Sequence, residues 1–199
     1  MDSNLFIGII VLVMSVVIHE LSHGYVATIW GDMTPRLQGR LTLNPIKHLD
    51  LMGSFIVPVI TMTLGAGIFG WAKPVVINPH NFRDRRWGEF WTAIAGPISN
   101  ILIAVLFAMI LRFFADSLPK TFNLFSLIVV YTNITLAIFN LMPIPPLDGS
   151  KILFTLFPKV FDRIRDKLER YFFVFLFIFA FFLWNFLSPI INKVVLWLI

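Results

Sequence analysis

Residues 5–23 read LFIGIIVLVMSVVIHELSH, and this stretch decides which fold we predict. Its apolar part, residues 5–18, carries no charge, and His19, Glu20 and His23 follow without a proline or glycine to end a helix. An uncharged run of this kind predicts a helix that enters a lipid bilayer, since about 20 apolar residues span the hydrocarbon core. Ionisable side chains at such a depth are costly and by default mark a functional site.

On a helix, His19 and His23 are four residues apart, so their side chains project from the same face. Two neutral imidazoles placed in this way can bind Zn²⁺, and Glu20 between them can polarise a metal-bound water. We therefore expect a zinc hydrolase whose site lies inside the membrane.

The composition is that of a membrane protein, because 58% of the 199 residues are hydrophobic and the mean hydropathy is +0.84. It predicts a single all-α, polytopic membrane domain over residues 1–199. The net charge is +5, but the basic residues cluster in short loops, which indicates topology rather than a nucleic-acid surface. Cysteine is absent, which excludes thiol catalysis, disulfides and thiolate metal ligands.

Five apolar blocks divide the chain, and four of them predict transmembrane helices. The other block, residues 51–71, is interrupted by glycines and a proline and predicts a re-entrant or broken element. Residues 31–50 are polar and rich in turn residues, and the short alternation at Arg40–Leu43 predicts a loop with a small β-hairpin. The four helical blocks are residues 5–30, 88–115, 122–142 and 171–198.

The basic residues predict how the chain is oriented. Thirteen of the 16 lysines and arginines lie in three segments, 31–50, 72–86 and 151–170. The positive-inside rule assigns all three to the cytoplasm, which requires that residues 51–71 enter and leave the cell membrane on the same side. The N-terminus then lies outside, and the site lies toward the cytoplasmic side. The alternative is that residues 51–71 simply cross the bilayer, which would put four basic residues outside.

A catalytic zinc site needs three protein ligands and one open position. Asp148 is the best candidate for the third ligand, because acidic residues in apolar surroundings are nearly absent and three prolines break the preceding helix. Gly149 then lets the chain turn tightly and present the carboxylate at the helix end. The other reading makes Asp148 an ordinary turn residue in front of a glycine.

HELSHG at residues 19–24 and NLMPIPPLDG at residues 140–149 together resemble the motifs of the site-2 protease family of intramembrane zinc metalloproteases. The resemblance covers most of residues 8–153. It is to the compact prokaryotic members, which lack an inserted PDZ domain or an appended nucleotide-sensing CBS domain. Further matching segments are GRLTLNP at 39–45, GWAKPV at 70–75 and AGPISN at 95–100.

In that family two histidines and an aspartate bind zinc, and a glutamate activates water. The resemblance therefore implies one Zn²⁺ per chain, held by His19, His23 and Asp148, with Glu20 as the general base. It implies hydrolysis of peptide bonds within or next to the transmembrane segments of membrane-protein substrates in the lipid bilayer. Ser150 departs from the pattern, since many members carry a second glycine at this position.

Asn100 and Asn140 match two asparagines of the family's motifs and are candidate catalytic residues. A side-chain amide can donate a hydrogen bond to the developing oxyanion or hold the substrate strand. For Asn100 the alternative is hydrogen bonding between helices beside Gly96, since small residues let membrane helices approach closely. A membrane-embedded substrate must be unwound before cleavage, and an edge from residues 36–44 is expected to pin it by strand addition.

Other histidines and other functions fit the sequence less well. His48 and His80 lie in polar loops and are expected to be solvated or hydrogen-bonded rather than metal ligands. A transporter or metal-handling scaffold would use the histidine pair as a transport site, but the neighbouring Glu20 and the late Asp148 favour hydrolysis. A di-iron oxidase needs several histidine boxes, and four histidines are too few.

The three basic segments are predicted to lie on the same side of the membrane. Because the chain has no cysteine, the variants Gln38→Cys, Asn81→Cys and Arg163→Cys each place one thiol in one segment. All three should resist a membrane-impermeant thiol reagent in intact cells until the membrane is opened. Labelling of position 81 alone would show that residues 51–71 cross the bilayer.

Overall fold

Helices make up most of the fold. The computed structural model describes residues 3–50, 52–56, 63, 73–161 and 184–199, and no strand occurs among them. Seven α-helices are described: α1 (Ser3–Ile29), α2 (Thr34–Leu37), α3 (Arg85–Phe114), α4 (Lys120–Asn140), α5 (Asp148–Leu156), α6 (Pro158–Phe161) and α7 (Trp184–Leu198). Shorter turns are 3₁₀ at Pro45–His48, Pro79–Asn81 and Ala115–Ser117, and π-helical at Met52–Ile56.

Three of the described helices are long and apolar enough to cross a membrane, over Leu5–Ile29, Arg85–Ser117 and Lys120–Asn140. They confirm the helices that the first, third and fourth apolar blocks predict. Large apolar side chains on their outer faces, such as Leu102 and Phe113, are about two-thirds exposed, which suits a surface in contact with lipid.

Two predicted elements are only partly described. Of the interrupted block 51–71, only residues 52–56 and 63 are described. The fourth helical block, 171–198, is described from residue 184 onward, where α7 is helical.

The core forms where α3, α4 and α7 meet. Ala104 and Ala108 of α3 are fully buried there, because small side chains let membrane helices pack closely. The larger side chains that fill the space beside them are Val130 and Ile134 of α4 and Ile191 and Val195 of α7. Further along, α3 also packs against α1 and α5, so it is the central helix of the described bundle.

The β-hairpin expected within residues 31–50 is wrong, since the structure describes this entire segment and it contains no strand. Pro35 lies in the first turn of α2, where a proline is tolerated because the N–H it lacks would be unused. Gly39 then turns the chain with a φ of 62°. Pro45 begins a 3₁₀ turn, and the side chain of Asn44 accepts a hydrogen bond from the amide of Ile46 at 3.1 Å. The local turn chemistry therefore outweighs the short alternation at 40–43.

Asp32 joins the end of α1 to the segment that precedes α3. Its buried carboxylate accepts hydrogen bonds from the amide and hydroxyl of Thr34, at 3.0 and 2.6 Å, and from the amide of Asn78 at 2.7 Å. The side chain of Asn81 donates another at 2.9 Å. Burial alone would raise the pKa of Asp32, but these hydrogen bonds outweigh it and lower the pKa. Residues 73–82 are thereby held beside α1.

Candidate metal centre

Three predicted site residues, two on α1 and one at the start of α5, come together in the structure. The carboxylate Oδ2 of Asp148 lies 3.2 Å from Nε2 of His19 and 3.1 Å from Nε2 of His23. The two Nε2 atoms are 3.0 Å apart. All three residues are buried, with exposed fractions of 5%, 6% and 4% for His19, His23 and Asp148. Each offers one ligand atom to a common point, as a metal ion requires.

The partners of the other imidazole nitrogens fix where the protons lie. Nδ1 of His19 is 2.7 Å from Oδ1 of Asn100, and Nδ1 of His23 is 2.6 Å from the backbone carbonyl oxygen of Thr92. Both oxygens are acceptors, so both Nδ1 atoms must donate. In the neutral imidazoles the proton therefore sits on Nδ1, and both Nε2 atoms carry lone pairs.

Three lone pairs thus point at one another in a buried space. Oδ2 of Asp148 is also a buried oxygen without a hydrogen-bond donor among the described residues. Facing lone pairs repel each other and gain nothing from burial, unless a cation lies between them. Two imidazole nitrogens and one carboxylate oxygen are the ligand set of many catalytic zinc sites, and hydrogen bonds to the far imidazole nitrogens are their usual support. The residues present therefore fit a zinc ion.

Gly96 on α3 makes room for the two rings. A Cβ atom there would lie 2.6 Å from Nε2 of His19 and closer still to Nε2 of His23. Thr92, Gly96 and Asn100 follow one another at four-residue intervals, so they form one stripe of α3 that faces α1. The carbonyl of Thr92 holds His23, the side-chain amide of Asn100 holds His19, and Gly96 between them leaves room for both rings.

The turn that carries Asp148 is held on both sides of the carboxylate. A Cβ atom on Gly149 would collide with the backbone of Leu141 and Met142, so only glycine fits this close approach. The amine of Lys151 lies 3.1 Å from Oδ1 of Asp148, which leaves Oδ2 toward the histidines. Ser150 is accommodated without an unpaired hydroxyl, because its Oγ donates to the carbonyl of Leu147 at 2.7 Å.

Arg86 anchors the other end of α5. It belongs to the first turn of α3, and its Nε and Nη2 donate to the carbonyls of Thr155 and Leu156 at 2.9 and 3.3 Å. Those carbonyls lie at the end of α5, where the helix leaves them unpaired and a cation is favourable. The helix that presents Asp148 is therefore fastened to the same helix that supports the histidines.

Glu20 lies between the two histidines in sequence and is half-buried. Its Oε2 accepts a hydrogen bond from the backbone amide of Val75 at 2.8 Å. Val75 is buried and belongs to the segment that Asp32 holds beside α1. This amide orients the carboxylate, and sequence reasoning did not identify it, since nothing in the local pattern pairs residues so far apart in the chain.

The two predicted asparagines have different surroundings. Asn100 is fully buried and makes the hydrogen bonds between helices that the alternative expects, to His19 of α1 and Asn133 of α4, and its catalytic role stays a prediction. Asn140 is half-buried, and its amide nitrogen donates to the carbonyl of Leu136 on its own helix at 3.0 Å. Within the described contacts, Asn140 does not touch the three clustered residues.

His48 and His80 stay apart from the cluster. His80 is exposed, as its loop position predicts. His48 is hydrogen-bonded through Nε2 to the carbonyl of Thr42 at 3.0 Å, but it is buried rather than solvated.

Sequence reasoning also missed Asn133, a fully buried amide on α4 that bonds to Asn100 at 2.8 Å. A polar residue within a membrane helix is the signal that could have found it.

Replacing Gly96 with alanine should disrupt the cluster, because the added methyl group would occupy the space of both imidazole rings. We expect Gly96→Ala to weaken zinc binding by about tenfold or more, measured by competition with a chelating dye. Gly8→Ala is the control, since a Cβ atom there meets nothing within 4 Å. Unchanged zinc affinity in Gly96→Ala would show that the rings do not rest on α3.

Comparison with known proteins finds relatives that are named zinc metalloproteases. Residues 115–183 match the family described as Peptidase family M50. "Putative zinc metalloprotease YwhC" of Bacillus subtilis is 38% identical over 95% of this chain and 83% of its own length. Rip2 of Mycolicibacterium smegmatis, named in the same way, is 33% identical over 72% of this chain and 56% of its own length. "Zinc metalloprotease MJ0392" of Methanocaldococcus jannaschii is 26% identical over 83% of this chain and 39% of its own length.

Comparison with solved structures found no significant match. The similarity to YwhC, by contrast, extends over nearly the whole chain and most of the relative, and it includes the segments that form the cluster. The chain belongs to peptidase family M50, the site-2 protease family of zinc metalloproteases.

Proposed function

We propose that this protein is an intramembrane protease that hydrolyses peptide bonds within or next to the transmembrane segments of other membrane proteins. His19, His23 and Asp148 hold one zinc ion, and Glu20 is the general base. The observation that carries the proposal is the convergence of three lone pairs on one buried point, on a membrane helix and next to a glutamate in sequence. A metal-transport site would need the same three ligands but would not need Glu20 as a general base.

Glu20 carries out the proton transfers of the proposed reaction. When bound, zinc supplies Lewis-acid activation of water, which makes a nucleophile available near neutral pH. Glu20 accepts the proton of that water and then delivers it to the leaving amine. The amide of Val75 holds one carboxylate oxygen at 2.8 Å and so fixes the direction in which Glu20 presents the other. A base whose position is fixed in advance loses no orientational freedom during the reaction.

The substrate must reach a site that lies within a membrane helix. A transmembrane helix hides its peptide bonds in its own hydrogen bonds, so the segment to be cleaved has to be unwound. Strand addition to residues 36–44 is not part of this proposal, because that segment forms no strand.

His19, Glu20 and His23 lie in the second half of α1. With the N-terminus outside, as the basic residues indicate, cleavage takes place toward the cytoplasmic side.

The purified protein is predicted to carry about one zinc ion per chain. His19→Ala, His23→Ala and Asp148→Ala should each weaken zinc binding strongly, because each leaves a buried dication with an incomplete ligand shell. Elemental analysis after dialysis against a chelator measures this. His80→Ala, which removes an exposed histidine, is the control and should keep its zinc. Full zinc occupancy and activity in Asp148→Ala would contradict the assignment of the third ligand.

Glu20→Gln is predicted to keep the fold and the zinc but to abolish cleavage. The amide oxygen can still accept the hydrogen bond from Val75, but it cannot take a proton from water. Membrane proteomes of cells that express the wild-type protein or Glu20→Gln should differ by fragments found only with the wild type. Glu89→Gln, which alters a carboxylate paired with Arg85, is the control and should cleave normally. Persisting fragments in Glu20→Gln would mean that another group is the base.

A further inference from the structure

A line of hydrogen bonds leads from His19 into the interior of the bundle and crosses three helices. Oδ1 of Asn100 on α3 lies 2.7 Å from Nδ1 of His19, and Nδ2 of Asn100 donates to Oδ1 of Asn133 on α4 at 2.8 Å. Nδ2 of Asn133 donates in turn to Oγ of Ser15 on α1 at 2.9 Å. All four residues are at least 95% buried.

The direction of this line is set by a backbone group. Nδ2 of Asn133 also donates to the backbone carbonyl of Val129 at 2.9 Å, and a carbonyl oxygen can only accept. Asn133 must therefore turn its Oδ1 toward Asn100. That oxygen in turn requires Asn100 to present its Nδ2 to Asn133 and its Oδ1 to His19.

The orientation of Asn100 matters because an amide can bind an imidazole in two ways. If Asn100 turned over, its NH₂ group would face His19, and Nδ1 would have to accept. The proton would then move to Nε2, and His19 could no longer offer that nitrogen to a metal. The turned amide would also bring the oxygens of Asn100 and Asn133 face to face, which is unfavourable in a buried, apolar interior.

We propose that Asn133 is a positioning residue for the metal centre, which acts through Asn100 to keep His19 in the tautomer with the proton on Nδ1. The inference rests on the proposed function in one respect, namely that zinc binds at His19. Asn133 itself is not in contact with the metal-binding atoms. Its oxygen, 2.8 Å from Nδ2 of Asn100, makes one orientation of Asn100 better than the other, and the backbone carbonyl of Ser15 accepts a longer hydrogen bond from the same nitrogen at 3.5 Å.

The test is a double-mutant comparison on the full-length protein in detergent, with zinc affinity measured by competition with a chelating dye. Asn133→Leu should weaken zinc binding by about 10–100-fold, as expected when an outer partner of a metal ligand is lost. Asn100→Leu should weaken it as well. Because Asn133 acts through Asn100, the double variant should bind zinc no more weakly than Asn100→Leu alone. Independent, additive losses would overturn the proposal, since a purely structural role predicts them.

Thr135→Val is the matched control on the same helix. The substitution removes a hydroxyl that donates to the carbonyl of Tyr131 at 2.7 Å. Thr135 lies on α4 like Asn133, but it takes no part in the hydrogen bonds that lead from His19 to Ser15. Its zinc affinity should equal that of the wild type. An Asn133→Leu variant that binds zinc as tightly as the wild type, in a protein that cleaves, would overturn this inference and leave the proposed function intact. A wild-type protein that binds no zinc would overturn both.

A second measurement does not depend on the folding of any variant. Nitrogen-15 NMR of histidine-labelled wild-type protein, after the zinc has been removed, reports which imidazole nitrogen carries the proton. His19 should show its proton on Nδ1. A proton on Nε2 together with an unprotonated Nδ1 would mean that Asn100 has the opposite orientation, and would overturn the proposal.

Discussion

Two imidazole nitrogens and one carboxylate oxygen face one another within 3.2 Å inside a helical bundle, and in the neutral imidazoles the protons lie on the opposite ring nitrogens. Burial makes such an arrangement costly, because each lone pair has given up water without gaining a partner. A cation converts the repulsion into three bonds. The surrounding structure is organised to hold these three atoms in place, and its other features can be understood from that requirement.

The central helix, α3, does most of this work through one stripe of residues spaced by four. The histidines are hydrogen-bonded to Thr92 and Asn100 and pack against Gly96. The same stripe continues into the apolar core with Ala104 and Ala108. Small residues allow the close helix contact that the carbonyl and amide contacts to the histidines require. Arg86 at the start of α3 fastens α5, so one helix positions all three residues of the cluster. The same face of α3 therefore both packs against the neighbouring helices and positions the metal-binding side chains.

How much could be predicted from the sequence depends on the distance over which each feature is determined. That His19 and His23 share one face follows from helical periodicity, whereas the local sequence leaves Asp148 either a ligand or a turn residue, and the need for a third ligand and the family resemblance favour the ligand. The hydrogen bonds from Val75 to Glu20 and from Asn100 to Asn133 join residues 33 or more positions apart, and no local pattern encodes which helix faces which. The hairpin expected in residues 31–50 failed for the opposite reason, because Pro35, Gly39 and Pro45 determine the backbone locally.

The central claim concerns the metal centre, and X-ray absorption at the zinc edge of the purified wild-type protein tests it most directly. The account predicts two imidazole nitrogens at about 2.0–2.1 Å and oxygen ligands at about 2.0–2.2 Å, in a four-coordinate shell without sulfur. The outer scattering that is typical of imidazole rings should correspond to two histidines. A shell of oxygen alone, or one with a single histidine, would contradict the assignment of His19, His23 and Asp148.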